Sequence, residues 1–200
     1  MDCLFKEMEQ FAEKNRVPII KEAERKIFRE IMEKYQPEYI LEIGTAIGYS
    51  ALLMAECAKK NAKIKTLELS EERARTAKSF IDRSPYKDNI EIIVGDAGKT
   101  LLSLADNEMF DMVFIDAAKG QYPDYLQKIL PHLNSGGIVV TDNILFRGYV
   151  LGEEKPPRRY KTIVKRLREY LQIISDKKIF KTTIFENGDG LAVSQKIDNN

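Results

Sequence analysis

Tyr39-Ile-Leu-Glu-Ile-Gly-Thr-Ala-Ile-Gly-Tyr-Ser50 joins a short apolar run to a glycine-marked turn, and a helical pattern follows over Ser50–Lys60. An apolar run of this length that ends in such a turn reads as a buried parallel strand feeding a helix. Glycine lets the backbone come close to a ligand. A dinucleotide fingerprint would place glycine at positions 44, 46 and 49. The chain has Ala46 and Tyr49 there, which weakens a nicotinamide reading. Glu42 at the strand tip points the same way. A carboxylate there repels a pyrophosphate and suits an ammonium group.

Outward from this turn, strand and helix patterns alternate. Residues 2–14 and about 20–35 read as amphipathic helices, broken at Pro18 and stopped before Pro37. Strands are expected at Ala62–Leu69, Ile90–Val94, Phe110–Ile115 and Gly137–Thr141, the last after an Asn134-Ser-Gly-Gly turn. Helices are expected from Ser70, a good N-cap with an acidic first turn, at Tyr122–Leu133 and at Arg158–Ile174. Ile179–Phe185 and Leu191–Ser194 read as a hairpin around Asn187-Gly-Asp-Gly190. The fold class is therefore α/β: a doubly wound, mostly parallel seven-stranded sheet closed by an antiparallel C-terminal hairpin. One domain over residues 1–200 is expected, with N-terminal helices at 1–36 and a core at 37–195. The irregular stretch 143–157 leaves a strand's carboxyl end, where such folds place ligands, and reads as a mobile active-site loop.

Three acids close three successive strands: Glu42, Glu68 and Asp96. Strand ends of this kind line one crevice. Glu68 lies about two dozen residues after Gly44 and is placed for two ribose hydroxyls. Asp96, just past the third strand, is placed for an adenine amino group, or else caps a short helix. With the ammonium preference of Glu42, the set fits S-adenosylmethionine. Beyond it, Asp116 ends the fourth strand, and Asp142 and Asn143 end the fifth. Two carboxylates and an amide suit a hard cation that keeps some waters, Mg²⁺ before zinc. Lys119, three residues after Asp116, reads either as a surface lysine paired with Asp116 or as a general base beside that cation.

Composition narrows the class. The chain has 200 residues, with 32 Lys and Arg against 31 Asp and Glu. Near-zero net charge argues against a uniformly basic nucleic-acid binder but leaves room for a local patch. No stretch is long and apolar enough to span a bilayer, and the start lacks the pattern of a signal peptide. Cys3 and Cys57 have neither disulfide-framework nor metal-ligand spacing, which fits reduced thiols in the cytoplasm. His132 reads as structural.

LEIGTAIGYSALLMA, TLELSEE, VGDA, FDMVFIDAAKGQY, GGIVVTDNILFRG and NGDGLAVS together resemble the cation-dependent O-methyltransferases of the catechol and caffeoyl-coenzyme A type. Those enzymes have a class I, Rossmann-like methyltransferase fold. Within them, RVPII at 16–20, DNILFRGYV at 142–150 and the PPRRYKTIVKRLREY segment look most like a bacterial branch that methylates 5-hydroxyuridine in tRNA. The resemblance implies that Glu42, Gly44 and Ser50 hold the methionine end of the cofactor, with Ile20 packing nearby. Glu68 would take the ribose, and Asp96 and Ala97 the adenine. Asp116, Asp142 and Asn143 would bind Mg²⁺, Asp116 would also contact the cofactor and share in catalysis, and Lys119 would be the base. A homodimer is expected on the same ground. The chain's start looks short against the family, which puts the lid and the dimer contacts in question.

Two acceptors stay open, 5-hydroxyuridine in tRNA and a small catechol or caffeoyl-type phenolic. Lys155, Arg158, Arg159, Lys161, Lys165, Arg166 and Arg168 crowd one segment, and with Arg147 they could meet phosphates beside a flipped-out base. Tyr149 or Tyr160 could stack on that base. The alternative is a solvated helix face offset by Glu153, Glu154 and Glu169. A non-catalytic cofactor-binding module is the reading from another class, and the intact Asp116, Lys119, Asp142 and Asn143 argue against it.

Overall fold

A computed structural model describes residues 1–20, 22–152, 155–186 and 188–198. The chain divides into two compact units, Met1–Thr100 and Leu101–Asn200. Among the described residues the mixed sheet has seven strands, three from the first unit and four from the second.

In the first unit, β1 (Tyr39–Ile43), β2 (Lys63–Glu68) and β3 (Ile90–Val94) run parallel in the order β3-β2-β1. Ile40, Leu41 and Ile43 are fully buried, as expected of a strand covered on both faces. Helices α1 (Asp2–Asn15), α2 (Glu22–Tyr35), α3 (Tyr49–Cys57) and α4 (Glu71–Ile81) surround these strands. The Ser70 side chain caps α4 by accepting from the Arg73 backbone N–H at 3.3 Å, with Glu71 and Glu72 in the first turn. Gly48, at φ +83°, starts α3, and a Cβ there would crowd Ile81 and Ala77 of α4 at 3.2–3.3 Å. The second glycine of the turn therefore serves helix packing.

Helix α1 buries Phe5, Met8 and Ala12. Phe5 packs on Tyr49 with ring centroids 5.1 Å apart, and Phe11 meets Phe80 edge-on at 5.6 Å. The Arg83 guanidinium donates to both Glu7 carboxylate oxygens at 2.9 Å. Arg25 of α2 donates to Glu9 of α1 and to the Tyr49 hydroxyl of α3, and that hydroxyl donates to Glu9 at 2.8 Å. Burial, and then the bond to Glu9, push the Tyr49 hydroxyl pKa up to about 12.

In the second unit, β4 (Phe110–Ile115) and β5 (Leu133–Thr141) pair in parallel, and β7 (Leu191–Lys196) lies antiparallel to both β5 and β6 (Phe180–Phe185). The hairpin is as expected, although Asn187 in its turn lies outside the described residues. Two expectations need correction. The helix from Tyr122 stops at Ile129 (α6), and a 3-10 turn over Leu130–His132 follows. Asn134-Ser-Gly-Gly is no free turn before a strand. It lies within β5, which takes five steps from Leu133 to Ile138 where β4 takes two from Phe110 to Met112. Asn134 fastens this irregularity by donating to the Asp111 carboxylate at 2.8 Å. His132 is tied at Nδ1 to the Glu108 carbonyl oxygen at 2.9 Å, the structural role expected of it.

Helix α7 covers Lys161–Ile174, and Arg158–Tyr160 form a 3-10 turn before it. Val164, Leu167, Tyr170 and Ile174 are buried at helical spacing, and the basic residues take the other face. No helix among the described residues is long and apolar enough to cross a membrane.

Candidate active site

The first unit carries the residues expected to hold a cofactor. Glu42 and Thr66 are register partners on β1 and β2, so their side chains meet. Thr66 donates to Glu42 Oε2 at 2.5 Å, and Ser50, from the first turn of α3, donates to Glu42 Oε1. The Thr45 and Thr66 hydroxyls are 2.6 Å apart. Glu42 is 0 % exposed, whereas Ser50 is half-buried. The carboxylate thus orients the Ser50 hydroxyl from behind, and Ser50 is the more accessible of the pair. Thr45 and Thr66 were not among the expected site residues. A threonine at the position registered with a buried acid was the signal that could have found them.

Glu68 at the end of β2 accepts two backbone N–H groups at 2.9 Å, from Ala46 in the glycine turn and from Ser70 at the start of α4. The turn is closed further by Gly44 and Thr45 N–H donating to the Leu67 carbonyl at 3.0 and 3.2 Å. Asp96 is exposed, and its Oδ1 accepts from Lys99 N–H at 2.9 Å, so it caps the short helix α5 (Ala97–Thr100) that Ala97 opens. The cap reading has its hydrogen bond. Ile20 is buried just ahead of α2.

The second unit carries the residues expected to bind a cation and to move the proton. Ile115 and Thr141 are partners at the ends of parallel strands β4 and β5, which sets Asp116 beside Asp142 one step on. Asp142 N–H donates to the Ile115 carbonyl at 3.0 Å, and Asn143 N–H donates to Asp142 Oδ1 at 2.6 Å. Asn143 takes φ +56°, a left-handed conformation that asparagine tolerates better than most residues. Asp142 is buried, while Asp116 and Asn143 are half-buried. Among the described residues no three His, Cys, Asp or Glu side chains gather as metal ligands, and the expected set is two carboxylates and an amide. Lys119 opens the 3-10 turn Lys119–Gln121 that leaves β4 and is half-buried.

Residues 143–152 of the stretch 143–157, which was expected to be a mobile loop, are fastened from two sides. Ile144 and Leu145 N–H donate to the Gly190 and Asp189 carbonyls at 3.1 and 2.8 Å, and Arg147 N–H donates to Asp189 Oδ1 at 3.0 Å. From α7, Arg168 donates to the carbonyls of Val150 and Tyr149 at 3.0 Å and of Gly152 at 3.3 Å. Arg168 was expected among the phosphate-facing cations. Its guanidinium is instead bonded to main-chain carbonyls of its own chain, and nothing in a basic helix face distinguishes it by sequence. Arg166 pairs with Glu169 at 2.8 Å, and Lys165 lies 3.9 Å from the same carboxylate. Arg147, Arg158 and Arg159 are exposed. Arg159 and Arg147 sit over the Tyr160 ring at 4.6 and 5.5 Å, and Phe146 meets that ring edge-on at 5.2 Å. Tyr160 is thus engaged by its own chain, with Tyr149 at 6.2 Å. Glu153 and Glu154, expected to offset the basic charge, lie outside the described residues.

Comparison with known proteins places this arrangement. The chain is 38 % identical over 120 residues to a catechol O-methyltransferase of Niastella koreensis, which covers 59 % of this chain and 54 % of that protein. It therefore spans about half the length of that curated relative. A solved structure from Staphylococcus aureus, named as a candidate caffeoyl-CoA O-methyltransferase, superposes with a TM-score of 0.86 at 30 % identity, over 96 % of this chain and 91 % of that one. An O-methyltransferase from Bacillus cereus, solved in complex with SAH, superposes with a TM-score of 0.87 at 25 % identity, over 98 % and 91 %. Residues 2–197 match the O-methyltransferase family as a whole, glycine turn, paired aspartates and closing hairpin included, and the chain belongs to that family.

Proposed function

We propose that the chain moves a methyl group from S-adenosylmethionine to a hydroxyl that has a vicinal oxygen, and that its acceptor is 5-hydroxyuridine at the tRNA wobble position, giving 5-methoxyuridine. The observation that carries the reaction class is the pairing of Asp116 with Asp142 at adjacent strand ends, with Asn143 and Lys119 following them. The Bacillus cereus relative's complex with SAH supports the choice of cofactor.

The residues present fit both groups. Ser50, oriented by Glu42, would meet the methionine end, Glu68 the ribose, and Asp96 with Ala97 the adenine. Asp116, Asp142 and Asn143 offer only oxygen donors, which suits Mg²⁺ better than a metal that prefers sulfur or imidazole. S-adenosylmethionine brings an already activated methyl, and a divalent cation lowers the pKa of a hydroxyl near it. The chain's own work is then alignment and proton removal. Lys119 takes the acceptor hydroxyl's proton on its Nζ. The fastened 143–152 segment keeps Asn143 and Arg147 in place while this happens.

The tRNA acceptor rests on the RVPII and DNILFRGYV resemblance and on exposed Arg147, Arg158 and Arg159, with Lys155 and Lys161 nearby. The names of the relatives favour the second reading, a small catechol or caffeoyl-type phenolic. Nucleoside mass spectrometry separates the two. The substrate is tRNA that carries 5-hydroxyuridine and lacks 5-methoxyuridine, incubated with S-adenosylmethionine and either Mg²⁺ or chelator. A 5-methoxyuridine peak that appears only with Mg²⁺ is expected. No peak, with methylation of a catechol under the same conditions, would assign the small-molecule acceptor.

A further inference from the structure

Behind the paired aspartates stands a tyrosine that closes the FDMVFIDAAKGQY stretch and that the reaction scheme does not use. Tyr122, the first residue of α6, is 0 % exposed. Its hydroxyl donates to the Asp142 carbonyl oxygen at 3.2 Å. The hydroxyl is therefore tied to the main chain at the strand end that carries Asp142.

The ring is held as firmly as the hydroxyl. Tyr170 of α7, also 0 % exposed, meets it edge-on with centroids 5.6 Å apart. The Tyr170 hydroxyl is 2.5 Å from Thr141 Oγ1, on the residue before Asp142. Two buried tyrosines thus stand behind one short stretch of β5, but of the two only Tyr122 bonds the main chain of a carboxylate residue.

We propose that Tyr122 is a positioning residue that fixes Asp142 beside Asp116 by bonding the Asp142 main-chain carbonyl, and so sets the affinity of the pair for a divalent cation. This rests on the cation-binding reading of those aspartates. Groups that orient metal ligands from behind typically change metal affinity by about 10- to 100-fold when removed.

The test is Mn²⁺ binding to the full chain, followed by the loss of the free-ion electron paramagnetic resonance signal, with no acceptor present. Tyr122→Phe keeps the ring and removes the hydroxyl, and it should weaken Mn²⁺ binding about tenfold or more. Tyr170→Phe removes an equally buried hydroxyl one layer further away and should leave Mn²⁺ affinity within about twofold of the parent. S-adenosylhomocysteine binding by both variants should match the parent and reports that they are folded. Parent-like Mn²⁺ affinity in Tyr122→Phe overturns the proposal. So does an equal loss in both variants, which would mark general loosening of the unit. A parent chain that binds no Mn²⁺ overturns the cation reading and this proposal together.

Discussion

Leu145 fills the space that a side chain at position 190 would need. A Cβ built on Gly190 would stand 2.8 Å from Leu145 Cδ1 and 3.0 Å from Leu145 Cβ, both inside contact distance. Gly190 also has φ +82°, where a side chain is strained. Gly190→Ala should therefore cost about 2–3 kcal/mol from overpacking and backbone strain combined. Gly148, at φ +78° with open space around it, supplies the comparison: Gly148→Ala should cost only the strain, about 1 kcal/mol. Urea unfolding of the two variants beside the parent measures the difference, and equal costs would remove the steric account.

The Tyr49 hydroxyl predicts a pH effect. Its pKa is raised from 10.0 to about 12 in the folded chain. The unfolded chain releases this proton first, so the stabilising contribution is complete below pH 10 and is lost as pH rises toward 12. Tyr49→Phe should be less stable at pH 7 by about 1 kcal/mol, the ordinary worth of a buried hydrogen bond. Above pH 10 it should lose stability less steeply than the parent. Thermal melts from pH 7 to 12 show the crossover, and parallel curves would count against the assignment.

Lys119→Ala should lower methyl transfer by about 10²- to 10⁴-fold, the usual range for a positioned proton-transfer group. S-adenosylhomocysteine affinity, read by calorimetry, should not move, because Lys119 is not among the residues expected to hold the cofactor. Near-normal turnover would end the role as base.

If the acceptor is tRNA, replacing Arg147, Arg158 and Arg159 together with alanine should weaken tRNA binding. It should also flatten the dependence of log affinity on log salt by about 2–3, near one for each phosphate that an arginine no longer neutralises. Filter binding at several salt concentrations tests this. An unchanged slope would make these side chains a solvated surface.

The sequence and the structure diverge where main-chain geometry decides. The parallel strands, the Ser70 cap and the hairpin were legible because apolar runs, capping residues and turn residues act locally. Asp116 and Asp142 were also legible, since both directly follow strands expected to be neighbours. The Asn134-Ser-Gly-Gly stretch misled because the same residues that favour a turn also suit an irregular strand, and the pairing with β4 chose the strand. Tyr122 and Arg168 were illegible as supporting groups. One reads as a core aromatic and the other as a surface cation, and only the tertiary fold shows the hydroxyl and guanidinium each bonded to main chain far along the sequence.

The hydrogen bonds of Arg168 bear on how the molecule breathes. Three carbonyls between Tyr149 and Gly152 converge on a single side chain planted two turns into α7. These residues are in turns, without a ladder or helix of their own to protect them. Their opening is therefore coupled to that helix rather than to local chain motion. In amide hydrogen exchange, Leu145, Val150 and Gly152 would show protection tracking that of α7, so that the helix and the segment behave as one cooperative unit.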